Sequence, residues 1–428
     1  MFFKEDHLFE KSLERGITPA AGYTYIGQFI VHDLTFDDTP FRAAGFAEPE
    51  ETINYRTPRL DLESLYGDGP GFTAHSHLYD GEAFCLGNTV SSISGALLPF
   101  DVPFLRGRPS TADDRNCENA IVRQVHAMFL LLHNLILRNL RSEPSASGQL
   151  FERARSSVRW HFQWLVRNDF LKKLCRPDVY RQVISSTGQR IRWPWGKFSI
   201  PVEFSQAAGR FGHSMAKKDY HLRDPGIPAH IPAIPLVNLF LSATDKTPLP
   251  DNYAVHWGYF LRGGEQAAKI DTFLVDPMQN LPDQTIHPFV SSPIPHEPRI
   301  LPFRTLVRGA RTRLPTGQQL RVALDPQAVV TENGAWNNLR SVGLENEIPL
   351  WYYILLEAQI MESGNQLGKI GSRVVAEVIE AALRHDPSSF LYHEGGNWAP
   401  PPLLWADGKT KSPITSFMEL AMAVGLLN

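Results

Sequence analysis

Cysteine is scarce in this chain, and the few cysteines present follow no pattern typical of a disulfide-stapled or zinc-binding protein. The 428 residues include Cys85, Cys117 and Cys175, an odd number with wide spacing and no CxxC pair. The first residues, MFFKEDHLFE, are charged from the fourth position on and lack the apolar region of a secretory signal. These features exclude a small disulfide framework and predict a reducing, cytoplasmic location.

Long hydrophobic runs and an excess of one charge are also missing. The most apolar stretch, residues 127–140, is interrupted by His133, Asn134 and Arg138 and is too short to cross a bilayer. Lys and Arg number 42 against 45 Asp and Glu, for a formal net charge of -3. Such a balance does not attract nucleic acid or anionic lipid. We therefore expect no membrane span and no nucleic-acid partner, and by elimination a small-molecule partner.

Helical periodicity is the strongest pattern that the chain does contain. Apolar residues recur at steps of three and four from Asn119 to Asn139, which predicts a buried central helix. Strand signals are short, as in Gly188–Trp193. No repeat or composition shift marks a boundary, so the sequence predicts one mainly helical domain over 1–428. Further helices are predicted over Phe151–Leu174, Glu347–Ser363 and Gly371–Arg384, and long ordered loops over the proline-rich residues 282–302 and 387–413.

The stretch GQFIVHDL, residues 27–34, combines three polar groups in an apolar segment. On a helix Gln28 and His32 share one face, because they lie four residues apart, while Asp33 is turned about 100° away from His32. One helix could thus serve two sites. The ordinary alternative is a helix histidine with a satisfied hydrogen bond, beside a solvated aspartate.

Two further stretches carry charged groups that could line a cavity. In DDRNCENAIVRQVH, Arg115 and Glu118 stand three apart at the start of the central helix; ordinary helix-start chemistry is the alternative. In GRFGHSM, His213 follows Arg210 by three residues, and neutral imidazole is a common metal ligand, although a packed core histidine is commoner. His126 lies on the central helix with no zinc-type acidic partner, which favours a position in the core or behind a site.

The stretch TPRLDLESLYG alternates polar and apolar residues. Thr57, Arg59, Asp61 and Glu63 alternate with Pro58 and two leucines, and two carboxylates in a short loop suit a hard cation such as calcium. The loop lacks the glycine of an EF-hand, so an exposed polar strand edge is the alternative.

Taken in chain order, these motifs resemble the animal-type haem peroxidases, the peroxidase–cyclooxygenase superfamily that includes myeloperoxidase and lactoperoxidase. The later stretches LPFRTLVRGARTRLPTGQ and LWYYILLEAQIMESGNQLGKIGSRVVAEV are similar to the bacterial branch of the family. The resemblance extends from about Ala20 to Pro400 and implies that family's mainly helical fold. It also implies a bound haem b.

The resemblance implies a role for each haem-side residue. His32 becomes the distal histidine, Gln28 its neighbour in the pocket and Arg115 the distal arginine. His213 becomes the proximal ligand of the haem iron, and Arg210 pairs with a haem propionate.

A calcium site is implied as well. Its ligands would be Asp33, the side chains of Thr57, Asp61 and Glu63, and the carbonyl of Arg59. Glu63 stands where mammalian relatives have serine.

Two further positions depart from the family pattern. Val31 replaces an aspartate that can form an ester with haem, so at most one ester link is expected, through Glu118. Thr305 replaces the asparagine that accepts a hydrogen bond from the proximal histidine, and a hydroxyl accepts more weakly.

The activity implied is that of a peroxidase. Hydrogen peroxide would be cleaved to leave an oxoferryl species that oxidises a halide or another small-molecule reductant. Alternatives are a fatty-acid dioxygenase, disfavoured because Arg210 occupies the position of its radical-forming tyrosine, a haem carrier or sensor, and a dedicated biosynthetic oxidase with one substrate.

Overall fold

The computed structural model of the chain consists of helices with a few two-stranded ribbons. It describes residues 18–37, 52–72, 74–91, 97–105, 107–143, 149–185, 191, 198–224, 232–244, 247–282, 285, 298–330 and 334–426. The α-helices, named in chain order, are α1 Gly22–Leu34, α2 Glu63–Tyr66, α3 Ala120–Arg141, α4 Leu150–Leu165, α5 Leu171–Leu174, α6 Pro177–Ile184, α7 Val202–Ser205, α8 Leu236–Thr244, α9 Trp257–Arg262, α10 Asp276–Gln279, α11 Leu301–Arg311, α12 Gly317–Leu324, α13 Gly334–Ser341, α14 Leu350–Met361, α15 Lys369–Arg384 and α16 Phe417–Ala423.

Shorter elements connect these helices. The 3₁₀ segments are Ser76–Leu78, Asp114–Cys117, Ala208–His213, Asp251–Tyr253 and Phe390–Gly396, and a π-helical turn, Val166–Phe170, joins α4 to α5. The described strands form five antiparallel pairs: Tyr79–Asp80 with Ala83–Phe84, Thr89–Ser91 with Leu97–Pro99, Phe104–Leu105 with Arg108–Pro109, Asp219–Tyr220 with Ile234–Pro235, and Leu403–Leu404 with Lys411–Ser412. The mainly helical class expected from the sequence is confirmed.

Helix α3 is the centre of the core, as its periodicity predicts. It packs against α1 and α4. The three helices meet in an aromatic cluster, in which Phe29 stacks on Phe129 with ring centroids 5.1 Å apart and Phe162 meets Phe129 edge-on at 5.3 Å. Offset and edge-on rings of this kind add to the burial energy of the aromatic area. Helix α1 is therefore fixed against the most buried element of the fold.

The predicted helices α4, α14 and α15 are confirmed within a few residues at their ends, and the Phe151–Leu174 segment is continuous through its π turn. The predicted strand at Gly188–Trp193 and most of the loop 282–302 lie outside the described residues. In the second proline-rich stretch, residues 387–413, the structure has a 3₁₀ segment and a strand pair.

Helix α3 is long and apolar enough to cross a membrane by length and composition, but the segment that passes this test is 94% buried inside the protein. Among the described residues it is the single helix of that kind. All three cysteines have free thiols.

Glycine at position 27 permits a close approach between α1 and the π turn. A Cβ atom there would stand 3.1 Å from the ring of Phe170, which is tighter than ordinary contact. Lack of a side chain at Gly27 thus lets Phe170 approach α1 beside Gln28.

A fully buried ion pair joins α3 to the loop between the strands Leu97–Pro99 and Phe104–Leu105, and we predict that the fold depends on this pair. Arg123 donates from Nε to Asp101 Oδ1 at 2.6 Å and from Nη2 to Asp101 Oδ2 at 2.7 Å, with both side chains inaccessible to solvent. Asp101→Ala would leave a buried arginine without its carboxylate and should destabilise the chain by about 3–5 kcal/mol in urea unfolding.

The matched control is Glu143→Ala, which removes the exposed pair of Arg153 and Glu143. Its effect should stay within about 1 kcal/mol, because solvent screens such pairs. Equal losses in the two variants would contradict a structural role for the buried pair.

Candidate active site

Helix α1 presents His32 and Asp33 to different neighbours. His32 is 7% exposed; its Nδ1 lies 3.0 Å from Asn116 Oδ1 and its Nε2 lies 3.1 Å from Glu118 Oε1. One turn earlier, Gln28 donates from Nε2 to the same Glu118 oxygen at 2.6 Å. The shared face predicted for Gln28 and His32 is therefore present, and Glu118 bridges the two side chains.

The start of α3 is tied to α1 by its capping residue. Asn119 accepts hydrogen bonds from the backbone N–H groups of Ile121 and Val122 at 3.1 and 2.8 Å, as an N-cap should. Its Nδ2 also donates to Gln28 Oε1 at 2.9 Å. The amide of Gln28 is consequently held at both ends, and its position is set by the helix cap.

Arg115 is anchored by four hydrogen bonds. Nε and Nη2 donate to the two carboxylate oxygens of Asp113 at 3.0 and 2.6 Å, while Nη1 and Nη2 donate to the carbonyls of Thr35 and His32 at 2.6 and 2.7 Å. A guanidinium has five N–H donors, so one remains, on Nη1. Burial opposes ionisation of Asp113, but Arg115, together with Arg56 and His32, outweighs it and holds the pKa of that carboxyl well below its ordinary value.

Asp33 points to the loop that precedes α2. Its carboxylate accepts hydrogen bonds from Leu62 N at 2.9 Å, Ser64 N at 3.3 Å and Ser64 Oγ at 3.0 Å. Leu62 has a φ of 57°, a left-handed conformation that is rare for a bulky residue. Burial, and then the nearby charge of Asp61, raise the pKa of Asp33 to about 7. Asp33 therefore contacts the same loop with which the family resemblance groups it.

The other predicted calcium ligands interact with one another and with basic residues. Thr57 Oγ1 donates to Asp61 Oδ2 at 2.8 Å, Glu63 lies 3.3 Å from Arg56, and the side chain of Arg59 faces Asp386 at 3.9 Å. Within the part of the chain that the structure describes, no three His, Cys, Asp or Glu side chains converge as a metal site. The carboxylates of Asp61 and Glu63 thus have hydrogen-bond or ion-pair partners within their own loop.

His213 ends the 3₁₀ segment Ala208–His213 and is half-buried. Burial, and then the charge of Arg210, lower the pKa of its imidazole to about 3, so the ring is neutral. Its Nδ1 is buried and has no hydrogen-bond partner. The ring lies 6.1 Å from that of Trp351, whose Nε1 donates to the Arg210 carbonyl at 3.1 Å.

The hydrogen bond expected between Thr305 and His213 is not formed. Thr305 is buried on α11 and donates its hydroxyl to the carbonyl of Leu301, one turn earlier, at 3.1 Å. A short β-hydroxyl on a helix commonly bonds its own backbone in this way. Thr305 thus bonds its own helix while His213 Nδ1 has no partner, and its role beside a bound haem stays a prediction.

Arg210 belongs to a polar network that the sequence did not predict. It donates to Ser205 O and Gln206 Oε1, each at 2.9 Å, and Gln206 in turn donates to Asp37 Oδ2 at 2.9 Å. Arg308 donates to the same Asp37 oxygen at 2.8 Å. Burial, and then Arg308, lower the pKa of Arg210 to about 10, and the group remains a cation. Arg304 and Arg308 lie four residues apart and therefore share a face of α11. This spacing is the feature of the sequence from which a basic cluster could have been predicted.

One cavity of about 400 Å³ unites these groups. It is lined by every predicted haem-side residue except Thr305, namely Gln28, His32, Arg115, Glu118, Arg210 and His213, and also by Asp37, Asn119, Arg304 and Arg308. Apolar side chains such as Val31, Phe170 and Met215 complete its wall. Asp33 and the loop at 57–63 are not part of this lining. The helix α1 therefore borders the cavity with one side and contacts the loop with the other.

The sequence profile of the animal haem peroxidases matches residues 33–289, more than half of the chain. The chain belongs to the animal haem peroxidase family. Thyroid peroxidase of Mus musculus is 26% identical over 189 residues, which is 39% of this chain and 20% of that protein. The chain thus spans about a fifth of that relative's length.

Solved structures share the peroxidase fold with this chain. Peroxidase A from Dictyostelium discoideum superposes with a TM-score of 0.63 at 16% identity, covering 97% of this chain and 88% of that one. Fatty acid alpha-dioxygenase from Oryza sativa gives a TM-score of 0.63 at 15% identity, over 86% of this chain and 69% of that one. At such low identity these likenesses establish the fold alone.

The cavity residues fit the haem that the family binds. His213 offers a neutral imidazole with no competing side-chain partner, which is the state that binds a metal. Arg210, Arg304 and Arg308 bring positive charge to the same cavity, which suits the carboxylates of a haem.

We predict that His213→Ala abolishes haem binding, measured as loss of the Soret absorbance after reconstitution of the full chain. The matched control is His161→Ala. His161 is another buried imidazole with an unpartnered nitrogen and a pKa lowered to about 4 by burial, but it does not line the cavity. Retention of haem by His213→Ala, or equal loss from both variants, would contradict the assignment.

Proposed function

We propose that this member of the animal haem peroxidase family uses hydrogen peroxide to oxidise a small-molecule or halide reductant. The observation that carries the proposal is the shared cavity, which joins His32, Arg115 and Gln28 to the neutral His213. A carrier or sensor of haem needs no general base beside a charge stabiliser. A dedicated oxidase with one substrate would use the same groups.

Haem, when bound, supplies the iron and the redox chemistry by which the peroxide O–O bond is broken. His213 is the proposed ligand of the iron, and Arg210, Arg304 and Arg308 are the proposed partners of its propionates. Glu118 is the one candidate for an ester link to haem, because Val31 cannot form one. Extraction of haem with acidified organic solvent would test this link, since an ester retains haem on the chain.

His32 is the proposed general base and acid. Its Nδ1 lies 3.0 Å from Asn116 Oδ1, so Nε2 is the nitrogen that we propose takes a proton from peroxide and returns it to the departing oxygen. Glu118 lies 3.1 Å from this nitrogen, and Gln28 donates to the same carboxylate oxygen, so the two side chains limit where peroxide can lie. Arg115, held by Asp113, would stabilise negative charge on the oxygen atoms as their bond breaks.

The fatty-acid dioxygenase alternative shares the fold but not the key side chain. Arg210 occupies the position three residues before His213 at which that chemistry requires a tyrosine. Oxygen uptake with an unsaturated fatty acid, in the absence of peroxide, would favour the alternative.

We predict that His32→Ala retains haem but reacts with hydrogen peroxide roughly 10²- to 10⁴-fold more slowly, because the general base is lost. Stopped-flow absorbance gives the rate, and the Soret band gives the haem content. His75→Ala, which alters a partly exposed histidine paired with Asp68, is the control and should match the parent. An unchanged rate in His32→Ala would contradict the proposed role of His32 as the general base.

Calcium binding by Asp33, Thr57, Arg59, Asp61 and Glu63 is a second part of the proposal. The supporting observation is the proximity of the buried Asp33 to Asp61, since a divalent cation would offset the repulsion between two carboxylates.

We expect added calcium to raise the melting temperature of the chelator-treated chain and Asp61→Asn to abolish that rise. Differential scanning fluorimetry measures both. Asp407→Asn, at a carboxylate outside this loop that bonds Thr410, should keep the full response. A calcium response that persists in Asp61→Asn would exclude this loop as the site.

A further inference from the structure

We infer that Asn116, oriented by His126 and by the carbonyl of Ser64, fixes the proton of His32 on Nδ1. The inference rests on the proposed role of His32 as the base, because a base needs its lone pair on the nitrogen that faces the cavity. Asn116 and His126 would both be positioning residues. Neither lines the cavity.

The side chain of Asn116 is buried between three polar groups. Its Oδ1 lies 3.0 Å from His32 Nδ1, and its Nδ2 lies 3.3 Å from Ser64 O and 3.1 Å from His126 Nδ1. An amide has one accepting end and one donating end. The orientation of the amide therefore determines whether Nδ1 of each histidine must donate or accept a hydrogen bond.

With both rings neutral, two arrangements of protons satisfy the two contacts between Asn116 and the histidines. In the first, Asn116 donates to Ser64 O and to His126 Nδ1, and His32 donates from Nδ1 to Asn116 Oδ1. In the second the amide is rotated by half a turn, His126 donates from Nδ1, and His32 must accept at Nδ1. The first leaves His32 Nε2 with a free lone pair, whereas the second puts a proton there.

The carbonyl oxygen of Ser64 favours the first of these two arrangements. A backbone carbonyl has lone pairs and no proton, so the second arrangement would place the oxygen of Asn116 against another acceptor, which is unfavourable in a buried site. The first arrangement needs His126 to be neutral with an unprotonated Nδ1. Burial lowers the pKa of His126 to about 3, which keeps it neutral.

Glu118 favours the opposite position of the His32 proton, so a competing acceptor at Nδ1 is needed. Its carboxylate lies 3.1 Å from His32 Nε2, and an acceptor there by itself favours a proton on that nitrogen. Without Asn116 as a competing acceptor on the other side of the ring, the proton would move to Nε2 and the base would be lost. Asn116 thus opposes Glu118 in setting the tautomer.

The test reads both histidines directly. The full-length chain with ¹⁵N-labelled histidine is purified with its haem, reduced and saturated with carbon monoxide, so that the iron is diamagnetic. Two-bond ¹H–¹⁵N correlation spectra at about pH 8, where an ordinary imidazole is neutral, show which nitrogen carries the proton. Loss of one signal set in His32→Gln assigns His32.

In the parent we expect the proton on Nδ1 of His32 and on Nε2 of His126. Asn116→Leu should move the His32 proton to Nε2 and slow the peroxide reaction by about 100-fold, and His126→Phe should give a mixture and slow it by about tenfold. His133→Phe replaces another buried neutral histidine of the same helix and should change neither the tautomer nor the rate.

A parent His32 with its proton on Nε2, or on both nitrogens, would overturn the inference. So would an unchanged tautomer in both Asn116→Leu and His126→Phe. If Asn116→Leu does not fold, the comparison of His126→Phe with His133→Phe decides. Failure of the proposed function is seen separately, as a haem-loaded parent that does not react with peroxide, because the spectra need no turnover.

Discussion

The site depends on one junction, at which residues 115–119 meet helix α1. In these five residues, four side chains form hydrogen bonds with α1: Arg115, Asn116, Glu118 and Asn119. A buried polar group that loses its partner costs about 1–3 kcal/mol. Asn116 and Asn119 are buried groups of this kind, whereas Arg115 and Glu118 are half-buried. Because the four side chains share one short segment, a displacement of α1 from the start of α3 would break their contacts together. The cavity wall therefore behaves as one unit.

Much of the structure around α1 and α3 can be predicted from local patterns in the sequence. The spacing of apolar residues identifies α3 to within two residues at its ends. Helical geometry alone places Gln28 and His32 on one face and Asp33 on another. The family resemblance supplied the remaining haem-side residues, since no local pattern indicates that residues near position 30 and near position 213 border the same cavity.

Contacts between distant parts of the chain were not predictable in the same way. Arg308 and Asp37 are paired although 271 residues separate them, and neither has a sequence context that indicates the other. Asn116 lies in a motif whose charged residues predict a cavity site, whereas its own uncharged amide contacts both His32 and His126. Thr305 shows the converse: its position is the expected one, but its hydroxyl bonds the helix backbone instead of reaching a neighbour.

Helix α1 has different partners on its two sides, and this restricts the kinds of sequence change it can accept. A substitution at a wall position such as Val31 alters one contact and leaves the direction of every other side chain unchanged. An insertion or deletion of one residue between Gln28 and Asp33 would rotate all the residues on one side of it by about 100° relative to the rest. His32 could not then keep its register with Gln28 while Asp33 kept its bonds to Leu62 and Ser64. In this segment, a change of length disturbs the contacts on both sides of the helix, whereas a substitution disturbs those of one residue.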